Sequence, residues 1–325
     1  MNVLVTGGAG FVGSHLVNEL VADGHDITVF DNISRGTRNR LDDVIDDVRL
    51  VEGDIRSKKE LANASDSPDI IFHLAAINGT KNFYDRPLTV LDVNVMGTRN
   101  VVDLARDEGV NRLIFTSSSE VYGFPDEFPT PESHPLQVMD SENPRYSYAG
   151  SKILGEQYVV HGAKGGEFEY TIVRPHNLYG PDMGYDHVIP EFIVRLLEGE
   201  YFTMYGDGTQ TRSFCYISDA IDAITTTATH PAAANEIYNV GMQHEITINE
   251  LAEHLFDVAG VQPDIEHVES RELSGSPERR QPDVSRAKSD IDYKPSVSLE
   301  EGLSKTFKTY CRDLLGMSVE EWQSS

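Results

Sequence analysis

Asn2-Val3-Leu4-Val5-Thr6-Gly7-Gly8-Ala9-Gly10-Phe11-Val12-Gly13 opens the chain, and its reading decides the fold. Val3, Leu4 and Val5 form a short apolar strand and the glycines a turn. Leu16, Leu20 and Val21 then recur at helical spacing. A second strand, Ile27-Thr28-Val29-Phe30, ends on Asp31. Strand, glycine turn, helix, strand and acid make a βαβ unit suited to a dinucleotide. The glycines permit a tight turn, close approach of backbone to a pyrophosphate, and close packing of helix on strand. The helix start offers free N–H groups and the positive end of its dipole to phosphates. Gly7, Gly10, Phe11 and Val12 are therefore expected as cofactor-binding positions. Asp31, about 20 residues on, is placed to accept hydrogen bonds from the adenosine ribose hydroxyls and to repel a 2′-phosphate, which favours NAD over NADP. The polar stretch from Asn32 to Arg40 reads as a loop beside the adenosine.

A chain of 325 residues is long enough for one large or two closely joined domains with a substantial core. Hydrophobic residues at 39% suit a soluble globular protein. No run approaches the roughly 18 apolar residues of a membrane helix, and the first strand begins at once, leaving no room for a signal peptide. The expected location is cytoplasmic. Two cysteines, Cys215 and Cys311, make no disulfide framework and lack metal-ligand spacing, so no metal is expected. The formal net charge of −26 disfavours nucleic acid and anionic membranes as partners. It also suggests adaptation to salt, and it demands locally clustered arginines if the substrate is an anion.

Beyond the loop, Val48 to Glu52 reads as a third strand, followed by Gly53-Asp54-Ile55, where Asp54 is expected to face the adenine or to cap a helix. Ile70 to Ala76 is a buried strand ending in the small residues over which a cofactor passes, with His73 a satisfied core histidine. Pro87 to Glu108 reads as a long helix carrying Asn94, and Arg112 to Thr116 as a fifth strand running into Ser117-Ser118-Ser119-Glu120. The alternation of strands and helices predicts an α/β fold: a Rossmann-type, doubly wound parallel sheet with ligands at the carboxyl ends of its strands. Phe124 to Asn143 is a long polar loop, expected to form a lid or site wall. A helix from Arg145 to about His161 and a sixth strand, Tyr170 to Arg174, follow. The expected division is an NAD-binding domain over 1–175, to which the chain returns around 213–242, and a smaller substrate-binding lobe over 176–325. Beyond Pro175, Val188 to Leu197, Leu251 to Val258 and Leu299 to Cys311 read as helices, and Ile237 to Val240 and Ile265 to Val268 as short strands.

Tyr148 and Lys152 are four apart and share one face of their helix. A tyrosine ordinarily keeps its proton to about pH 10. A neighbouring ammonium and an oxidised nicotinamide both favour the phenolate, which makes Tyr148 a candidate base near neutrality. Ser118, at the adjacent strand end, is placed to bond the same substrate hydroxyl and align its proton with Tyr148.

Gly7-x-x-Gly10-x-x-Gly13, Asp31, Asp54, His73-Leu74-Ala75-Ala76, Asn94, Ser118 and Tyr148-x-x-x-Lys152 together resemble the extended short-chain dehydrogenase/reductase superfamily, and within it the NAD-dependent nucleotide-sugar epimerases, dehydratases and decarboxylases. Arg174 to Pro181, Tyr205 to Phe214, Tyr238 to Gly241 and Arg280 to Asp283 carry the resemblance through the rest of the chain. It implies a tightly held NAD, reduced and reoxidised within one turnover, and a nucleoside-diphosphate sugar oxidised at C4 with Tyr148 as base. Implied cofactor contacts are those above together with Asn32, Asp54, Ile55, Leu74, Ala75, Ala76, Asn94, Thr116, Tyr148, Lys152 and Pro175. Implied substrate contacts are Ser118, Ser119, Glu120, Tyr148, His176, Asn177, Val188, Ile189 and Tyr205, with Arg212 and Arg280 on the diphosphate. A homodimer built from the helices around 89–108 and 148–161 is implied as well.

A C4 ketone acidifies the C5 proton and labilises a C6 carboxylate, so one intermediate leads to 4-epimers, 4-keto-6-deoxy sugars or a pentose. Glu120 resembles the glutamate of the dehydratases and of the UDP-glucuronate decarboxylases; its alternative is a structural carboxylate facing Thr130 or solvent. Ser119 stands where dehydratases of the dTDP-glucose type carry an aspartate, and the approach to Tyr148 lacks the glycine and cysteine of the decarboxylases. The leading expectation is a 4-epimerase of UDP-sugars, with UDP-glucuronate decarboxylase or 4,6-dehydratase as alternatives. A non-catalytic NAD-binding regulator is the competing class, and the intact Ser118, Tyr148 and Lys152 argue against it.

Overall fold

In the computed structural model, which describes residues 1–199, 202–269 and 275–324, seven parallel strands form one sheet. They are β1 (Asn2–Thr6), β2 (Asp26–Asp31), β3 (Val48–Glu52), β4 (Ile70–His73), β5 (Arg112–Thr116), β6 (Glu169–Pro175) and a last strand, Glu236–Val240, beside β6. Their order runs from the last strand through β6, β5, β4, β1 and β2 to β3. Successive side chains point to opposite faces. Val3, Val5, Ile27, Val29, Ile114 and Val173 enter one apolar layer with Leu16, Leu20, Ile221 and Ile224, whereas Leu4, Phe30, Ile71, Leu113 and Ile172 enter the other with Leu61, Val101, Ala105 and Val159. Burial on both faces is what a parallel sheet requires. The expected doubly wound α/β fold is present.

The order reverses between β1 and β4, which opens a crevice at the carboxyl ends of those strands. Helix α1 (Phe11–Ala22) begins there. The Pro87 to Glu108 region is helical throughout but is broken by a π turn at Asp92–Met96. The wide turn aims Asn94 at the loop after β4: its amide bonds both the N–H and the C=O of Ile77, and Ser151 as well.

After β6 the helices Val188–Glu198, Ile248–Ala259 and Leu299–Leu315 and the short strand Ile265–Val268 agree with the periodicity, and Ile265–Val268 pairs with a strand the periodicity did not indicate, Phe202–Tyr205. Phe202 contacts Phe192 and Phe256 edge-on at 4.7 Å and anchors this part of the core. Helix Ile217–Thr229 has no counterpart in the sequence reading. Threonines have weak helix propensity, but Thr225, Thr226 and Thr227 bond back to carbonyls three or four residues earlier while Ile221 and Ile224 bury against the sheet. Burial outweighs local preference here.

The loop from Phe124 to Asn143 does not wall the crevice. It straps the sheet's far end: Thr130 exchanges backbone bonds with Gln281 and Asp283, and Glu132 accepts from the N–H of Asn239.

Candidate active site

A cleft of about 410 Å³ follows the crevice, with the glycine turn and Asp31 towards one end and Ser118, Glu120, Tyr148 and Arg280 towards the other. Gly7 has φ +76°, and a Cβ there would meet Ala75 N at 2.6 Å; a Cβ on Gly13 would meet Gly7 O at 2.1 Å. Only glycine fits this packing of turn, helix and strand end. Gly10 caps α1 without a side-chain acceptor, so the first-turn N–H groups stay free for an anion. The Asp31 carboxylate accepts from the N–H groups of Ala9 at 3.0 Å and Ile33 at 2.8 Å, and that anchoring holds Ile33 at φ +55°. Phosphate-ready N–H groups, a side-chain-free turn and an oriented carboxylate fit a dinucleotide with unmodified ribose. Asn32, Ile55, Leu74, Ala75, Ala76, Thr116 and Pro175 line the same cleft, as do Phe11 and Val12.

At the far end the Ser118 hydroxyl lies near enough to the Tyr148 phenol to draw its pKa down. Lys152 donates from Nζ to the Thr116 carbonyl at 2.7 Å and lies 5.9 Å from the Tyr148 ring centroid. Burial is the dominant effect on both groups. It lowers Lys152 to about 7, against which Glu156 pulls, and it raises the Tyr148 phenol well above its ordinary value, with Ser118 pulling down. The expected depression of the Tyr148 pKa by Lys152 is therefore absent in the protein alone. Phe83 stacks on Tyr148 at 5.0 Å and 17°, fixing the ring from one face.

Glu120 does not face Thr130; its side chain lines the cleft, 22% exposed, and is held there by arginines. Its Oε1 accepts from Arg280 Nη1 at 2.7 Å and lies 3.5 Å from Arg145 Nη2. Burial opposes ionisation, but Arg280, Arg145 and Arg212 outweigh it and hold the carboxyl at about 2. Buried, unpartnered nitrogens remain on two of these guanidiniums, Arg280 Nη2 and Arg145 Nε. Ser119, Asn177, Val188 and Ile189 also line this end, with Asn177 turned to φ +42° and bonded to the Ser213 carbonyl.

Five expected contacts lie outside the cleft wall. Asp54 is engaged by Arg56, and Ser57 instead caps the following helix. Asn94 acts on the cleft only through Ile77. His176 turns away from the sugar end into the sheet's edge, where Nε2 meets Asn239 Oδ1 at 3.3 Å and burial lowers its pKa to about 3. Tyr205 is 41% exposed and lies under Arg195. Arg212 sits behind Arg280, bonded to the carbonyls of Thr211 and Glu278 and to Ser276, its pKa lowered to about 9 chiefly by burial and then by Arg280. His73 is a satisfied core histidine between Thr6 and Thr98.

Phe83, Arg145 and the Glu156–Arg174 pair escaped the sequence reading. Glu156 alone had a local signal, since it continues the four-residue spacing of Tyr148 and Lys152.

Residues 3–241 match the family model described as the NAD dependent epimerase/dehydratase family. The chain is 36% identical over 314 residues to the UDP-N-acetyl-alpha-D-glucosaminuronate decarboxylase of Bacillus cytotoxicus, covering 94% of this chain and 97% of that one. It is 33% identical to the putative UDP-glucose 4-epimerase of Methanocaldococcus jannaschii, covering 93% and 96%. The UDP-glucose 4-epimerase of Thermotoga maritima, solved with UDP-glucose, superposes with a TM-score of 0.89 at 30% identity, covering 97% of this chain and all of that one. With the dinucleotide cradle and the Ser118–Tyr148–Lys152 arrangement in one cleft, these similarities establish that the chain is an NAD-dependent enzyme of the epimerase/dehydratase family.

Proposed function

We propose that the protein is a 4-epimerase of UDP-sugars that oxidises C4 of a neutral hexose and reduces it again on the opposite face. NAD, when bound, supplies the hydride acceptor. Tyr148 takes the proton of the C4 hydroxyl and returns it at the end of turnover, and Ser118 orients that hydroxyl. Lys152 places positive charge beside the phenol. The burial cost of the phenolate is opposed by the Ser118 hydroxyl, and the cationic cofactor ring, when bound, would oppose it further.

The observation that carries the choice of a neutral sugar is the charge around Glu120. Three guanidiniums surround this one carboxylate, leaving a surplus of two positive charges. The two charges of a nucleotide pyrophosphate neutralise that surplus, and close charge-assisted bonds outweigh the diffuse field of the acidic surface. A carboxylate on the sugar would make the pocket negative. Glu120, held ionised at about 2, is also not an acid for expelling a C6 hydroxyl, which disfavours the 4,6-dehydratase reading. Decarboxylation of a UDP-hexuronate is the second reading, favoured by the buried unpartnered Arg280 Nη2 and by the uronate named for the Bacillus relative.

The test is incubation with UDP-glucose, UDP-galactose, UDP-glucuronate and UDP-N-acetylglucosaminuronate, followed by product NMR. Interconversion of C4 epimers without accumulation of NADH is expected. A UDP-pentose would transfer the assignment to the decarboxylase, and stoichiometric NADH to a dehydrogenase. No turnover of any sugar would indicate a regulator. We further propose a homodimer through Leu88, Met96, Leu154 and Tyr158, which lie exposed on the two helical segments expected to pair.

A further inference from the structure

We propose that Glu156 is a positioning residue for the C4 oxidation: it locks the Ser118 strand end to the Tyr148 helix and supplies the negative charge one turn beyond Lys152. The inference rests on the functional reading above. Glu156 and Arg174 are each 3% exposed and pair through Nη2 and Oε2 at 2.7 Å. Oε1 accepts from Arg174 Nε at 2.9 Å and from Ser117 Oγ at 2.6 Å. Ser117 is the residue before Ser118, so one carboxylate ties the end of β5, the end of β6 and the helix bearing Tyr148 and Lys152. Arg174 continues the chain of bonds to Tyr122 at 2.9 Å, and Tyr122 to Asn239 at 2.7 Å. Asn239 reaches the carbonyl of Asp283, three residues beyond Arg280.

Stability alone does not call for such a pair, because well-packed apolar residues commonly replace a buried ion pair without loss. Its place beside Lys152 gives it a use. The groups facing Lys152 are Tyr148 and Glu156 on its own helix, His73 from β4, and the uncharged Phe115 and Thr116 from β5. His73 is neutral in its buried setting, its pKa lowered to about 3. Glu156 is thus the anion that opposes the loss of charge which burial imposes on Lys152.

The test compares Glu156→Gln, Glu156→Asp and Ser117→Ala with the parent. The protonation midpoint of Lys152 is read by acetic anhydride labelling across pH with peptide mass spectrometry, and kcat and KM are read by turnover. In Glu156→Gln the Lys152 midpoint and the alkaline limb of kcat both move to lower pH by about one unit. KM for the nucleotide-sugar stays within twofold, and Glu156→Asp restores most of the shift. Ser117→Ala lowers kcat severalfold without moving the midpoint. If Glu156→Gln fails to fold, the double variant Glu156→Gln/Arg174→Met removes both buried charges and keeps the same direction of shift. An unmoved midpoint and pH profile, with only thermal stability lost, overturns the inference. Labelling needs no substrate, so a shifted midpoint in a protein that turns over no sugar supports the role at Lys152 and refutes the epimerase reading.

Discussion

Arg280 donates from Nη1 to Glu120 Oε1 at 2.7 Å, joining residues 160 apart across the sugar end of the cleft. The folded carboxyl lies below its ordinary value because the guanidiniums outweigh burial. A depressed carboxyl stabilises the fold above its unfolded pKa and loses that contribution as the pH falls towards the folded value. Glu120→Gln is therefore expected to lower the thermal midpoint at pH 7, and its deficit against the parent is expected to narrow from about pH 5 downward. Thermal scans at pH 7, 5 and 4 check this; a deficit constant across them contradicts it.

Lys152 has the opposite sign. Its folded pKa, about 7, is below the ordinary lysine value, so carrying the ammonium costs stability below that pH, and the cost fades as the pH rises from about 7 to the unfolded value of 10.5. Lys152→Met is expected to raise the thermal midpoint by a few degrees at pH 6 to 7 and to lose the gain by pH 10.5. Turnover is expected to fall about 10²- to 10⁴-fold, as it is for Tyr148→Phe. A Lys152→Met protein with lower stability at pH 6 would refute this account.

Gly13→Ala places a methyl 2.1 Å from the Gly7 carbonyl oxygen, with backbone on both sides. The expected outcome is a large loss of stability together with loss of NAD binding, read by calorimetry. Gly150→Ala is the contrast: its Cβ first meets Val138 Cγ2 at 3.6 Å. A helix interior favours alanine by up to about 1 kcal/mol, so this variant should be as stable as the parent or more so.

Leu88 is 74% and Leu154 47% exposed on neighbouring helical segments. Leu154→Asp is expected to convert a dimer into a folded monomer in sedimentation at micromolar protein. A parent that already sediments as a monomer refutes the interface.

The formal net charge of −26 predicts a thermal midpoint that rises between low and molar potassium chloride, as screening relieves self-repulsion. A midpoint indifferent to salt removes the suggestion of salt adaptation.

The local pattern of the sequence alone determined the dinucleotide cradle, the parallel sheet and the Ser118, Tyr148 and Lys152 positions. Each of these depends on residues close in sequence: glycines in one turn, period-two burial in one strand, two side chains four apart on one helix. Tertiary structure decided what depended on distant neighbours. Asn94 reaches the cleft only through Ile77, and His176 turns from the sugar towards Asn239 because the last strand offers it a partner. Arg280 and Arg145 converge on Glu120 from segments far from it in the chain. Protonation belongs to the same class: spacing placed a base beside an ammonium, but burial, set by the whole fold, moved both groups towards their neutral forms. Charge and burial act through space, and no local spacing encodes them.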